Sequence, residues 1–313
     1  MLHQPFKSAE QLRAASTIAT PRVLIPFLTV TLIWGSTWLV IRDQLGVVPP
    51  AWSVVYRFIL ASGAMFLISV LMGQRLRFTR REHGFAFTFG VLQFVFNFNT
   101  VYPAEQYVTS GLVALIFSLL IIPNSILARI LLKQRLSRAF LIGSGIAVSG
   151  VALLLINEYR AADTDPDAVL LGVALTLGGV LAVSFANVMQ GSARAKAMPM
   201  FPMLAWGMLY GLIVDALWAL LTSGPPVIEW RTGYILGVVY LGLLGSAVTF
   251  PLYYGVVRAI GPGKAAYTSV LIPIIAMALS TLFEGYRWSS LAVAGGVLAM
   301  AGMIMALRAR AVA

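Results

Sequence analysis

Cysteine is absent from the 313 residues, and histidine occurs only at His3 and His83. The first absence excludes disulfides, thiolate metal sites and a cysteine nucleophile. The second leaves no imidazole set for a metal triad or for the base of a catalytic serine. Charge is scarce as well: Asp, Glu, Lys and Arg make up 11% of the chain, where soluble domains carry about a quarter. What fills the space is apolar, at 59%. The formal charge of +11 is held in small groups of bases between long apolar stretches. A nucleic-acid binder needs a basic face in polar surroundings, so no nucleic-acid partner is expected. No Walker A sequence and no dinucleotide fingerprint occurs, which excludes ATP hydrolysis by this chain and predicts no cofactor and no metal.

A bilayer core of about 30 Å needs roughly 20 apolar residues per helix. Ten runs meet that need, at 23–41, 51–72, 84–101, 108–128, 139–156, 168–189, 201–221, 233–254, 265–283 and 288–307. The expected fold is an all-α polytopic membrane protein whose partners are the lipid bilayer and a small-molecule substrate. Only Arg57 and Asp215 bring charge inside these runs. An even number of spans puts both termini on one side. The segments on that side hold 17 bases, against Arg42, Arg160, Arg231 and Arg287 on the other. The positive-inside rule therefore predicts cytoplasmic termini. Residues 1–22 read as a cytoplasmic tail, not a cleaved signal.

The fourth and fifth runs carry Ser118, Pro123, Gln134, Gly143 and Gly150, and the ninth and tenth carry Ser269, Pro273, Glu284, Gly295 and Gly302. The spacing from Pro to Gln or Glu is the same in both, as is the spacing between the glycines. Five spans per copy is odd, so a second copy must cross upside down, giving two inverted five-helix repeats at 23–157 and 168–308. An acidic linker at 158–167 would join them on the periplasmic side, and 309–313 would form a cytoplasmic tail. With Trp34-Gly35-Ser36 in the first run and Arg57-Phe58 in the second, the chain resembles the drug/metabolite transporter (DMT) superfamily, in its ten-helix EamA-type branch. That resemblance implies a bacterial inner-membrane exporter of small metabolites, amino acids foremost and aromatic ones among them. It implies a monomer or weak homodimer that works by alternating access. Its solute site would lie among the first, third, fourth, sixth, eighth and ninth helices.

Several residues are candidates to line that site. Trp34, Ser36 and Thr37 cluster near mid-depth, where a Trp is unusual; Ser36 and Thr37 can instead bond their own helix, and Trp38 can anchor in the outer aromatic belt. Gln93 and Asn97 share a helix face at i, i+4 and serve either a solute or a neighbouring helix. Asn187 offers the same choice. Pro123 and Pro273 lack an N–H, so the carbonyls of Leu119 and Ser269 are expected to lose their helical partners and face a cavity, with Ser118 beside them. Tyr253 and Tyr254 read as belt residues. Arg57 and Asp215 stand at matching depth, where an ion pair would lower the cost of both. With Glu284 they are assigned structural or gating roles.

A membrane enzyme would have to draw its carboxylates from Asp163, Asp165 or Asp167, which read better as a solvated loop, so no catalytic residue is expected. Asp215 lies near the outer boundary, and Glu105 and Glu284 sit at helix ends where water is expected to reach them. Facilitated export is therefore expected ahead of proton antiport or drug export. The topology is tested by single cysteines in this cysteine-free chain. Asp167→Cys should react with an impermeant thiol reagent from outside intact cells, and Arg77→Cys only after the membrane is opened. The reverse pattern sinks the orientation.

Overall fold

The computed structural model describes residues 20–132, 137–161, 166–256 and 268–312. Gln134, Asp163, Asp165, most of the N-terminal tail and the first residues of the ninth expected span, 265–267, lie outside the described residues. Helices run over α1 (Pro21–Asp43), α2 (Pro50–Leu71), α3 (Arg80–Ala104), α4 (Ser110–Ser118), α5 (Ile121–Leu132), α6 (Arg138–Ala161) and α7 (Pro166–Gln190). They continue as the short α8 (Ala193–Ala197), then α9 (Met200–Ser223), α10 (Thr232–Val256), α11 (Thr268–Phe283) and α12 (Ser290–Val312). No strand occurs among the described residues. Eight stretches are long and apolar enough to cross a membrane, with α4 and α5 counting as one; α11 and α12 supply two shorter apolar segments.

Local chemistry sets the ends. Pro21 and Pro50 open α1 and α2, where a missing N–H costs no helical bond. Thr79 caps α3 in a reciprocal box: its hydroxyl accepts from the Glu82 N–H, and the Glu82 carboxylate accepts from the Thr79 N–H at 2.7 Å. Past α9, Gly224 adopts φ 74°, a conformation that a side chain disfavours.

Two helices depart from α geometry. Val91–Phe96 in α3 and Tyr240–Val248 in α10 are π-helical, so carbonyls there are released from the regular ladder. A third break separates α4 from α5. The Leu119 carbonyl, expected to be vacated by Pro123, instead accepts from the Ile122 N–H at 2.8 Å. The chain tightens into a turn at Leu119 and Leu120 and restarts, so Pro123 falls in the first turn of a new helix, where it is harmless. Pro273, by contrast, stays inside α11.

Buried side chains form two large clusters, and neither corresponds to one half of the sequence. One joins α1, α2, α9, α10 and most of α3, with Ala186 of α7, around Phe58, Phe94 and Leu204. The other joins α4, α6, α11, α12 and the first part of α7, with Val101 and Ala104 of α3, around Leu112, Leu154 and Met303. Large apolar side chains are also fully presented outward, such as Leu71, Leu221 and Leu282, as a lipid-facing surface allows. At the end of the bundle away from the termini, Trp52 Nε1 donates to the Gly224 carbonyl at 3.2 Å, Ser53 and Tyr234 hydroxyls meet at 2.8 Å, and Arg231 pairs with Asp43 at 3.0 Å. This is called the far end below.

The most extensive helix contact is α6 against α12. A Cβ at Gly150 would stand 2.2 Å from the Ala299 nitrogen, and one at Gly302 would stand 2.2 Å from the Ala147 nitrogen. Backbones touch there because a glycine without a side chain faces an alanine with only a methyl group. Gly150→Val should therefore cost about 2 kcal/mol or more through overpacking, read as a lower thermal midpoint in detergent. Gly145→Val, on the open face of the same helix where nothing lies within 4 Å, should leave the midpoint near the parent's. Equal effects would refute the close-contact account.

Candidate functional site

Between the two clusters lies a cavity of about 150 Å³, reached by α1, α2, α3, α4, α7, α10 and α11. Helix α1 presents Trp34, Thr37, Trp38 and Ile41 to it, spaced i, i+3, i+4 and i+7 on one stripe. The Trp34 indole N–H donates to the Gly245 carbonyl at 3.3 Å, and its ring packs on Phe250 and Tyr253 with centroids 5.5 and 5.1 Å away. Thr37 hydroxyl returns to the Trp34 carbonyl at 2.8 Å. Trp38 does not anchor in an outer belt: it lines the cavity against Phe117, and its indole N–H has no partner among the described residues. Tyr253 and Tyr254, read from sequence as belt residues, also line the cavity.

Helix α3 contributes Gln93, Asn97, Phe98 and Val101. Asn97 Nδ2 donates to the Gln93 backbone carbonyl at 3.3 Å. The side-chain oxygens of both amides are buried without a donor among the described residues. Such an atom costs about 1 to 3 kcal/mol unless something in the cavity supplies a hydrogen. Ser118, Asn187 and Ser269 add to the polar lining, with Pro273 beside them. The Ser118 hydroxyl is buried and donates to the Leu115 carbonyl at 2.5 Å.

The structure leaves other expected residues outside. Ser36 faces α10, its hydroxyl 2.6 Å from that of Tyr240. Leu119 and Pro123 do not line the cavity, and Asp215 and Glu284 lie elsewhere. Asp215 is buried against α3, where Asn99 Nδ2 donates to Oδ1 at 2.6 Å. It forms no ion pair with Arg57, nor does any other described carboxylate.

Arg57 instead lines the cavity, 3% exposed. Its Nε donates to Ser246 Oγ at 3.0 Å, Nη1 to the Tyr102 hydroxyl at 3.4 Å and Nη2 to the Gly245 carbonyl at 3.3 Å. The guanidinium carbon stands 4.4 Å from the Phe98 ring centroid, a cation–π contact. All these partners are neutral. The π-helical segment of α10 makes the arrangement possible, because Gly245 and Ser246 lie within it. Sequence reading had no signal for that segment, although the helical stripe from Trp34 to Ile41 was there to be read.

Glu105 also differs from expectation. It is fully buried, and neither carboxyl oxygen has a hydrogen-bond partner among the described residues.

Comparison with known proteins gives consistent results. The chain is 25% identical to Protein PagO of Salmonella typhimurium over 86% of this chain and 87% of that one. It is 25% identical to a probable amino-acid metabolite efflux pump of the same organism, over 88% and 91%. It is 26% identical to a probable terminal-alkyne amino-acid exporter of Streptantibioticus cattleyicolor, over 64% and 65%. A solved crystal structure superposes with a TM-score of 0.69 at 17% identity, covering 92% of this chain and 97% of the other, a likeness of fold alone. The EamA-like transporter family matches twice, over residues 22–156 and 170–308. With apolar helices throughout, a largely apolar cavity studded with a few polar groups, and two matches that span most of its length, this chain belongs to the EamA-like transporter family.

Proposed function

We propose that the chain is a ten-helix carrier of two inverted repeats that exports amino acids or similar small metabolites by alternating access of its central cavity. In this reading it sits in a bacterial inner membrane with cytoplasmic termini, as a monomer or weak homodimer, with no cofactor and no catalytic residue. Support for the repeat comes from the paired π-helical segments in α3 and α10, at corresponding places in the two family matches. The names of two relatives, an amino-acid metabolite efflux pump and an amino-acid exporter, support the substrate class.

The observation that carries the reading is the buried Arg57 charge on the cavity wall with no carboxylate beside it. A guanidinium out of water is costly until an anion joins it, and a solute carboxylate supplies one with bidentate geometry. On the α3 side, the unpartnered Gln93 and Asn97 oxygens accept from an ammonium group, and the Trp34 face attracts the same charge. The aromatic wall of Phe98, Phe117 and Phe250 takes an apolar side chain. One cation and two neutral acceptors suit a zwitterion better than a bare amine or a polyphosphate. Arg57 thereby takes a binding role in place of the static one expected from sequence.

Trp34→Ala and Asn97→Ala should each lower counter-flow of an aromatic amino acid in proteoliposomes by about tenfold, the equivalent of one charge-assisted contact. The yield of folded protein should stay near the parent's. Normal transport by both would remove the cavity assignment. Arg57→Gln separates binding from scaffolding: it should weaken competition by the free amino acid while leaving competition by its carboxamide unchanged. Equal loss for both competitors would return Arg57 to a structural role.

A further inference from the structure

At the far end, Glu105 closes α3 one turn beyond Val101, and Ser110 opens α4 one turn before Ala114; Val101 and Ala114 both line the cavity. Glu284, just past α11, bridges the two ends of that side. Its Oε2 accepts from the Ser110 N–H at 3.1 Å and from the Ser280 hydroxyl at 2.5 Å. Its Oε1 is buried without a partner among the described residues, as are both oxygens of Glu105 and the hydroxyls of Thr109 and Ser110. Ser110 is itself 0% exposed. Glu105 is itself fully buried with neither oxygen paired, so a proton on it would remove an uncompensated charge from this end of the bundle.

We propose that Glu105, with Glu284 as its neighbouring carboxylate, binds one exchangeable proton that holds the far ends of α3, α4 and α11 closed, and that its loss to far-side water opens the cavity at this end. The proton comes from water and returns to it as the site hydrates. Burial, and after it the neighbouring Glu284 carboxylate, hold the Glu105 carboxyl well above the usual carboxylate range, while Arg42 pulls the other way. The remaining groups are few. Arg42 and Asp43 are exposed at the end of α1, Arg57 on α2 reaches the region only through Tyr102, Tyr107 is exposed just past α3, α4 has no titratable side chain, α7 offers Asp167 at its exposed first turn, and past α11 Tyr286 is buried and Arg287 exposed. None of the cations pairs with either glutamate among the described residues. The sign follows. The closed form binds the proton more tightly than the hydrated open form, so closure is favoured below the raised Glu105 value and lost as pH rises through it. One proton changes the closed-to-open ratio by up to about tenfold per pH unit.

The test needs no transported solute and is therefore independent of the amino-acid reading. In vesicles whose far end faces an impermeant thiol reagent, the labelling rate of Ala114→Cys is divided by that of Gln106→Cys. Gln106 is exposed beside the site, so the ratio cancels thiol ionisation. The ratio should rise with pH by up to about tenfold per unit. In Glu105→Gln, a neutral stand-in for the protonated acid, it should be low and flat. Glu284→Gln keeps an oxygen for Ser110 and Ser280 and removes only the lesser of the two causes that raise Glu105, so it should move the pH dependence to lower pH without abolishing it, which preserves the test if the first variant folds poorly. A pH-independent ratio in the parent, a pH dependence that survives Glu105→Gln, or one that Glu284→Gln leaves unshifted, overturns the proposal. So does a ratio that follows sodium at fixed pH, which would assign the oxygens to a metal cation.

Discussion

Hydrocarbon offers no hydrogen bonds, so a backbone inside it must satisfy itself, and the regular helix is the form that does so within one segment. Everything apolar about this chain follows from that constraint, and so does the placing of its irregularities. Each π-helical segment turns one side inward, Gln93 and Phe94 in one and Leu241 and Ser246 in the other, while Phe96, Leu243 and Leu244 face outward. The Gly245 carbonyl, within one such segment, accepts from both the Trp34 indole and the Arg57 guanidinium. One backbone oxygen thus sets the position of an aromatic wall and of the cavity's cation together.

The two side-chain clusters explain why the cavity sits where it does. Each draws helices from both family matches, so the seam between clusters crosses the seam between sequence halves. Helices α1 and α7, the first of each match, both reach the cavity, and α3 and α7 each contribute side chains to both clusters, tying the two cores together beside it.

Much of this was legible in the sequence. The apolar runs located the helices, because hydrocarbon thickness dictates their length and charge marks their ends. The paired glycines meet across the contact of α6 with α12, whereas the paired prolines part company, Pro123 beginning a helix and Pro273 lying inside one. The amides Gln93 and Asn97 were readable as partners on one face, since the π-helical segment keeps both on the cavity side. What could not be read was register. Whether Arg57 meets Asp215 depends on helix rotation, and a π turn resets that rotation with no residue signature; depth alone made them look like a pair. Trp38, Tyr253 and Tyr254 were misplaced for a related reason, as position along a helix says how deep a ring lies but not which way it faces. The Leu119 carbonyl was misjudged because Pro123 can begin a helix as readily as kink one. Glu105 looked wet at a helix end, and only the packing of α11 against α4 shows that the end is covered.

The seam between α6 and α12 has a consequence for how such a chain can change. Gly150 abuts Ala299 while Ala147 abuts Gly302, backbone against backbone in both directions. Volume added to one copy has no room unless the other copy, far away in the gene, gives up the same volume at the facing position. The two copies are free to diverge in what they present to the solute and to lipid, but at this seam they must drift as one, each holding a mould of the other.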